Sequence, residues 1–311
     1  MSHLKTTAME YAFFEGKMVP TGEAKVSVMT NALQYGTGFF GGIRGYWSET
    51  KKELNIFRLD DHIARFVQSA SIIGVELAYD EAALKKIMLD LVAKNKPTED
   101  VYFRPFAYAS SLNLSPNLER DNTFEFALYM MPLGDYLPTD RGIKVCVSSW
   151  TRTPDNSIPS RAKISGGYIN SALAKKEAMQ NGYDEAIFLT ANGHVSEGSA
   201  MNIFMVRRGV LITPPVSDDI LEGITRRSIM EMAKQSGIEV EERSIDRTEL
   251  YAADELFFTG TGAQISWIES VDRRTIGTGK RGPISAMLQD LFFQVVRGSE
   301  NKYRNWLTTM K

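Results

Sequence analysis

Two hydrophobic periodicities alternate along the chain, and each marks out its own elements. Tyr11 to Pro20 is strand-like on both sides of Glu15-Gly16, which predicts a hairpin, and the alternation of Lys25 to Met29 predicts a short strand. Leu54 to Leu59, Val101 to Tyr108, Thr123 to Met131 and Ile143 to Trp150 predict further strands. Between them the spacing changes. Ile63, Phe66, Val67 and Ala70 share one face of a helix capped by Asp60 or Asp61 and running to Ile72. Leu84, Ile87, Met88 and Leu91 share the face of a second helix, capped by Asp80 and closed by Asn95 and Pro97.

After Trp150 the same reading predicts a helix from about Asn170 to Gln180 with Asn181-Gly182 as its stop. A strand, turn and strand follow over Glu185 to Val195, then a hairpin over Asn202 to Thr213 around Arg208-Gly209. Gly223 to Gly237 predicts a helix, Glu255 to Gly262 a strand running into a Gly-Thr turn, and Ile284 to Val296 a closing helix. Strands and helices are mixed without strict βαβ alternation, so the expected class is α+β (mixed α/β). Pro132 to Gly142 fits neither period. The expected division is a small N-terminal α/β domain over 1–133, a linker over 134–142 and a large C-terminal domain over 143–311.

Composition narrows the function classes. Across 311 residues, apolar residues make up 43% and charged residues 24%, the balance of a globular protein. A net charge of −2 gives no electrostatic footprint for nucleic acid or an anionic membrane. His3, His62 and His194 show no metal-ligand spacing, so no metal is expected. The one cysteine, Cys146, sits in a strand between two valines and has no internal disulfide partner, which fits a reducing, cytoplasmic setting. No apolar run reaches membrane-spanning length.

The candidate chemistry starts at Ser160-Arg-Ala-Lys-Ile-Ser-Gly-Gly-Tyr-Ile-Asn-Ser171. Lys163 stands among small residues that let a flat ligand approach, five positions before Tyr168. A lysine used for imine chemistry must be a free amine for part of its cycle, which desolvation or a nearby cation favours. A solvated loop lysine is the plainer alternative. Five glycines lie among aromatics from Tyr35 to Trp47; they signal either a close backbone approach or a bulged bend in a sheet. Arg104 is isolated in an aromatic strand, so it pairs with an acid or lines a polar site. Gly223-Ile-Thr225 opens a helix and Gly260-Thr-Gly262 follows a strand, each a candidate anion nest or merely a cap and a turn; Arg58 offers a guanidinium. Glu197, among small residues between strands, is either a partner for a protonated ring nitrogen or a turn acid with a nearby base. No phosphate-binding Gly-x-x-x-x-Gly-Lys-Ser/Thr pattern occurs. A lysine, a tyrosine, a ring-nitrogen carboxylate and a phosphate nest form the set that a pyridoxal phosphate enzyme needs.

Nine motifs then occur in one order: Tyr35-Gly-Thr, Phe40-Gly-Gly-Ile-Arg44, Phe57-Arg58, Tyr102-Phe-Arg-Pro105, Gly134-Asp-Tyr-Leu137, Lys163-Ile-Ser-Gly-Gly-Tyr168, Ser196-Glu-Gly-Ser199 with Asn202, Leu221-Glu-Gly-Ile-Thr-Arg226, and Thr259-Gly-Thr-Gly262. From about Tyr11 to Leu291 the chain closely resembles the branched-chain aminotransferases, pyridoxal 5'-phosphate enzymes of fold type IV. The resemblance implies a two-domain fold and ping-pong amino transfer between Leu, Ile or Val and 2-oxoglutarate. It implies that Lys163 binds the cofactor covalently and shuttles the proton, that Tyr168 bonds the phenolic oxygen, and that Glu197 meets the pyridine nitrogen. Arg58, Ile224, Thr225 and Thr261 would hold the phosphate. Tyr102 with Thr261, Gly262 and Ala263 would receive the α-carboxylate. Arg44, Arg104 and Tyr136 would meet a distal carboxylate, and Tyr35, Phe40 and Tyr168 would wall an aliphatic side chain. Partners would be small amino acids and 2-oxo acids and a second copy of the chain, as a dimer or larger homo-oligomer.

The sequence departs from the resembled pattern at four places: Gly41 stands for a Glu, Gly167 for a frequent Asn, Ala200-Met201 for a Gly and a small or polar residue, and Gly262-Ala-Gln264 for Ala-Ala-Glu. Gly41 and Gly262 fall where the substrate would lie, so substrate range is the property they bear on, including bulky 2-oxo acids or (R)-amines. Alternatives on the same fold are a D-amino acid or (R)-amine aminotransferase, or an aminodeoxychorismate lyase. Arg104 is followed by Pro105-Phe106 and not by the Arg-x-His of D-amino acid enzymes. A catalytically silent binding protein is the alternative outside enzymology.

Overall fold

A computed structural model describes residues 7–119 and 123–311; His3 lies outside them. In chain order the strands are β1 Tyr11–Phe14, β2 Lys17–Pro20, β3 Gly38–Phe40, β4 Ile43–Ser48, β5 Glu53–Phe57, β6 Val101–Ala109, β7 Phe124–Pro132, β8 Ile143–Thr151 and β9 Glu185–Leu189. They continue as β10 Val195–Gly198, β11 Asn202–Arg207, β12 Val210–Thr213, β13 Val240–Glu242, β14 Glu255–Gly260, β15 Gln264–Val271, β16 Arg274–Thr275 and β17 Leu307–Met310. The α-helices are α1 Asn31–Tyr35, α2 Leu59–Ile72, α3 Glu81–Asn95, α4 Tyr168–Gln180, α5 Ile224–Gln235 and α6 Pro283–Val296.

The chain forms two compact units. The first comprises Met1–Gly134, Ala162–Gly166 and Gln294–Lys311; the second comprises Asp135–Arg161 and Gly167–Phe293. These units divide the chain differently from the expected limits at two places. The C-terminal segment joins the first unit because β17 pairs antiparallel with β5, placing Leu307 opposite Phe57. Residues 162–166 join it because they bond to the β3 edge: Phe40 N–H donates to the Lys163 carbonyl and Ser165 N–H to the Gly38 carbonyl.

The sheet of the first unit runs β17-β5-β4-β6-β7-β1-β2, with β3 paired to β6. Helices α2 and α3 cover it through the apolar faces read from the sequence: Ile63, Phe66 and Ala70, then Leu84, Met88 and Leu91, are all buried against Phe39, Phe103 and Phe126. Each of the larger of these side chains stabilises the fold by about 1.5–3 kcal/mol. Asp80 caps α3 by accepting from Ala83 N–H. Asp60 and Asp61 do not cap α2; they lie in its first turn, where they complement the dipole, and Arg58 in left-handed conformation occupies the cap position. The strand expected over Lys25–Met29 is absent. No ladder partner reaches it, and Thr30 N–H instead closes a local turn on the Ser27 carbonyl.

The sheet of the second unit runs β10-β9-β8-β15-β14-β11-β12-β13, with β16 on β15. Its hairpins at Asn202–Thr213 and Glu255–Val271 are antiparallel, while β8 pairs parallel with β9 and β15. The core includes Val145, Ile187, Ile203, Met205 and Phe258. Cys146 is buried beside α4, and burial pushes its thiol up to about 12, so it stays protonated at neutral pH. Among the described residues there is no group of side chains fit to hold a metal ion, and no helix is long and apolar enough to cross a membrane.

Candidate active site

Lys163 belongs to the first unit, and the glycines around it explain how. Gly36 ends α1 in left-handed conformation at φ 70°, and a Cβ there would come 2.7 Å from the Gly166 Cα. Backbone packs on backbone at this point, which a side chain on Gly36 would prevent and one on Gly166 would crowd at 3.3 Å from the Gly36 carbonyl. Segment 162–166 therefore lies flat along β3, with Phe39 bridged to Ile164. Lys163 Nζ then sits 5.3 Å from the centroid of the Phe40 ring. Arg104 Cζ lies 4.4 Å from the same centroid, and Arg104 Nη2 donates to Tyr102 Oη at 3.2 Å. The aromatic strand thus gives Arg104 ring faces and a phenol in place of the acid that was one of its expected partners. Among the sequence-predicted residues, the first unit brings together Lys163, Phe40, Arg104 and Tyr102.

Three further candidates of this unit have other settings. Arg58 stacks its guanidinium 3.7 Å from the Trp306 ring centroid and donates to Asp61 at 3.2 Å. Arg44 is 2% exposed, and its Nη2 donates to the carbonyls of Leu133 and Gly134 at 2.9 and 3.0 Å. Tyr35 is at the end of α1, 39% exposed. Gly41 donates its N–H to the Pro105 carbonyl, and a Cβ on it would reach the Pro105 ring at 2.7 Å. Gly41 is a packing contact with β6.

The second unit holds Glu197 in an irregular stretch of β10. The register of β9 and β10 shifts between Val195 and Gly198, and such a shift re-aims side chains. The Glu197 carboxylate is buried and gripped on both oxygens. Arg152 reaches Oε1 at 2.8 Å; Asn202 Nδ2 and Leu221 N–H donate to Oε2 at 2.9 and 3.2 Å. Three donors, one charged, favour the anionic carboxylate.

Leu221 leads directly into α5. The N-cap, Gly223, makes no side-chain cap bond to the first turn, and Ile224 and Thr225 behind it are both buried. A helix start of this kind is an anion-binding device. Thr261, Gly262 and Ala263 form the turn between β14 and β15. Gln264 takes the left-handed conformation at φ 54° and donates its side-chain amide to Asp135 at 2.7 Å. That bond fastens the turn to the segment carrying Tyr136, whose Cβ lies 3.7 Å from where a Cβ on Gly262 would stand. Tyr168 is the first residue of α4. Arg152 and Asp219 are the residues that the sequence reading missed. Arg152 follows directly on β8, between Thr151 and Thr153, where nothing in the periodicity distinguishes it from a solvated arginine.

The model of the amino-transferase class IV family matches residues 38–271, three-quarters of the chain. The chain belongs to the class IV amino-transferases, among the branched-chain-amino-acid aminotransferases. It is 48% identical to a probable branched-chain-amino-acid aminotransferase of Aquifex aeolicus over 98% of both chains. The branched-chain aminotransferase of Thermoproteus uzoniensis, solved with norvaline, superposes with a TM-score of 0.93 at 44% identity, covering 97% of this chain and 99% of that one. The branched-chain amino acid aminotransferase of Thermobaculum terrenum, solved in its PLP-form, gives 0.92 at 40% identity over 97% and 98%. The α+β fold type IV assignment and an aminotransferase activity follow from this membership.

Proposed function

We propose that the protein transfers the amino group between branched-chain L-amino acids and 2-oxoglutarate, both substrates using one site in turn, with pyridoxal 5'-phosphate as cofactor. The observation that carries this reading is the buried Glu197 carboxylate fixed by three donors, one of which, Leu221 N–H, lies two residues ahead of the Gly223 cap of an open helix start. An anionic acceptor and a nest of free amides match a protonated ring nitrogen and a phosphate. When bound, the cofactor supplies the electron sink that stabilises negative charge at the substrate α-carbon.

The chain's own residues have separate tasks. Lys163 would hold the cofactor covalently and then move the proton at the substrate α-carbon. Tyr168 donates to the phenolic oxygen, and Glu197 keeps the ring nitrogen protonated. Arg58, Ile224, Thr225 and Thr261 would hold the phosphate, and Tyr102, Gly262 and Ala263 would receive the α-carboxylate. Phe40, Tyr35 and Tyr168 accept the aliphatic side chain. Of the cations assigned to the distal carboxylate, Arg104 has the accessible setting; Arg44 braces Leu133 and Gly134, with Tyr136 beside the Gly262 turn.

A second copy of the chain belongs to the proposal. Val28, Met29, Leu33, Leu112 and Leu114 are all more than half exposed, and buried Asn31 ties their two loops into one surface through Ser111, Asn113 and Ser115. Such a patch fits a homodimer interface. A cytoplasmic setting is supported by the composition and the single buried cysteine. The test is a panel of amino donors against 2-oxoglutarate, read through cofactor absorbance: leucine, isoleucine and valine should convert fastest. A preference for D-amino acids or (R)-amines, or turnover without a 2-oxo acid, would overturn the reading. Sedimentation of Leu114→Asp tests the dimer, which should dissociate.

A further inference from the structure

Glu197 is held by a residue that no motif of the site includes. Arg152 bonds Glu197 Oε1 at 2.8 Å, and its Nε donates to the Asp219 carbonyl at 3.2 Å. Its guanidinium also lies 5.7 Å from the Phe188 ring centroid. Asp219 is held in left-handed conformation at φ 59°, and its carboxylate accepts from Asp155 N–H at 2.9 Å. Two residues on, Leu221 gives its N–H to Glu197, and its carbonyl accepts from Asn202. One guanidinium thus grips both the acceptor carboxylate and the segment that delivers the α5 N-terminus. With only 16% of the Arg152 side chain exposed and 5% of Glu197, water replaces neither bond well. Removing one partner of such a pair leaves the other charge buried and uncompensated.

We propose that Arg152 is a positioning residue for the amino transfer: it keeps Glu197 anionic and aimed, and it locks residues 219–223 so that ring-nitrogen acceptor and phosphate nest form one rigid piece. This rests on the reading of Glu197 and α5 given above. Arg152 touches no reacting atom; it acts through Glu197.

The test compares loaded enzyme of Arg152→Met, Arg152→Lys, Glu197→Gln and the Arg152→Met/Glu197→Gln double variant. Arg152→Met should lower kcat with leucine about 30-fold while KM moves less than about threefold, because it alters charge at the acceptor and not the substrate contacts. Its cofactor should dissociate about tenfold faster in gel filtration, a readout independent of turnover. Arg152→Lys should recover most of the rate. In the Glu197→Gln background, Arg152→Met should cost less than about threefold more, since the residues act as a unit. A purely structural Arg152 would weaken cofactor retention yet leave kcat of the loaded enzyme at the wild-type value, which overturns the proposal. Full multiplication of the two single effects overturns it as well. Should Arg152→Met not fold, Arg152→Gln takes its place with the same expectations. Wild-type turnover in Glu197→Gln would overturn the ring-nitrogen assignment itself; a slow Glu197→Gln beside an unimpaired Arg152→Met overturns this inference alone.

Discussion

Gly223→Ala is a one-carbon test of how the site is held. The Gly223 backbone, at φ −67° and ψ 132°, is one that any residue adopts, so the substitution carries no backbone strain. Its cost is steric: the new Cβ would stand 2.0 Å from Asn202 Oδ1. The end of a free side chain would swing aside cheaply. Asn202 is not free, because its Nδ2 donates to Glu197 and to the Leu221 carbonyl, both at 2.9 Å. Either the helix start shifts, at about 1–3 kcal/mol for overpacking, or Asn202 rotates. Rotation forfeits one neutral bond, about 0.5–1.5 kcal/mol, and one bond to a charged group, about 1.5–3 kcal/mol. The cheaper mixture costs about 2–3 kcal/mol, which lowers the melting temperature of the cofactor-free protein by roughly 4–10 °C. Cofactor retention should fall with it, because the Ile224 and Thr225 amides move. In an Asn202→Ala background only the 3.3 Å approach to Arg226 Cβ remains, so adding Gly223→Ala should cost much less there. A Gly223→Ala protein whose melting temperature matches wild type and which keeps its cofactor would refute the reasoning. Equal penalties in both backgrounds would show that the clash is not with Asn202.

Three further outcomes are expected. Lys163→Ala should fold, lose the borohydride-fixable cofactor and abolish transamination; peptide mapping of the reduced wild-type enzyme should find the label on Lys163. Arg104→Ala should weaken 2-oxoglutarate and glutamate about tenfold or more in half-reactions while leucine loses much less, the difference corresponding to a charged hydrogen bond of about 1.5–3 kcal/mol; equal losses would make Arg104 structural. Glu249 accepts two bonds from Arg243 and one from Arg207, and these guanidiniums hold its carboxyl down to about 2. A depressed carboxylate stabilises the fold above its unfolded value of about 4.5, and that stability is lost as pH falls toward 2. Glu249→Gln should therefore melt lower than wild type at neutral pH and converge with it once the pH has fallen to the depressed value; a gap independent of pH would contradict this.

What the sequence made legible followed from local physics. The helix faces of α2 and α3, the Asp80 cap and the turns at Arg208-Gly209 and Asn181-Gly182 are written in spacing and in residues that tolerate their backbone. Strand β15 was not legible, because Gln264–Val271 carries mixed polarity and draws its place from neighbours on both edges, β14 and β8, of which β8 is remote in sequence. Segment 162–166 and strand β17 illustrate the same limit: their unit is decided by edges of β3 and β5 that become available only when the sheet has formed. Chain order could not reveal that assignment.

The site shows the limit more sharply. Glu197 was visible as a carboxylate among small residues, but both outcomes stayed open, ring-nitrogen partner and turn acid with a nearby base. The structure contains the nearby base, Arg152, yet it also buries the pair and adds Asn202 and Leu221. A turn acid satisfied by one solvated arginine would need none of that enclosure, since an exposed pair contributes little. Taking the two ions out of water costs several kcal/mol each, which their attraction returns only where further hydrogen bonds satisfy the carboxylate, as Asn202 and Leu221 do here. Departures from the resembled pattern resolve in the same physical terms. Gln264 must donate to Asp135, which a Glu could not do while ionised, and Gly41 is pressed against Pro105, where a longer side chain does not fit. Those two replacements are matched to their immediate partners, whereas Gly262 is not: it leaves ordinary van der Waals room beside Tyr136. Of the departures near the proposed substrate groups, Gly262 is therefore the one whose change to alanine should fill space beside Tyr136 and, if Tyr136 meets the substrate as proposed, narrow the range of accepted side chains.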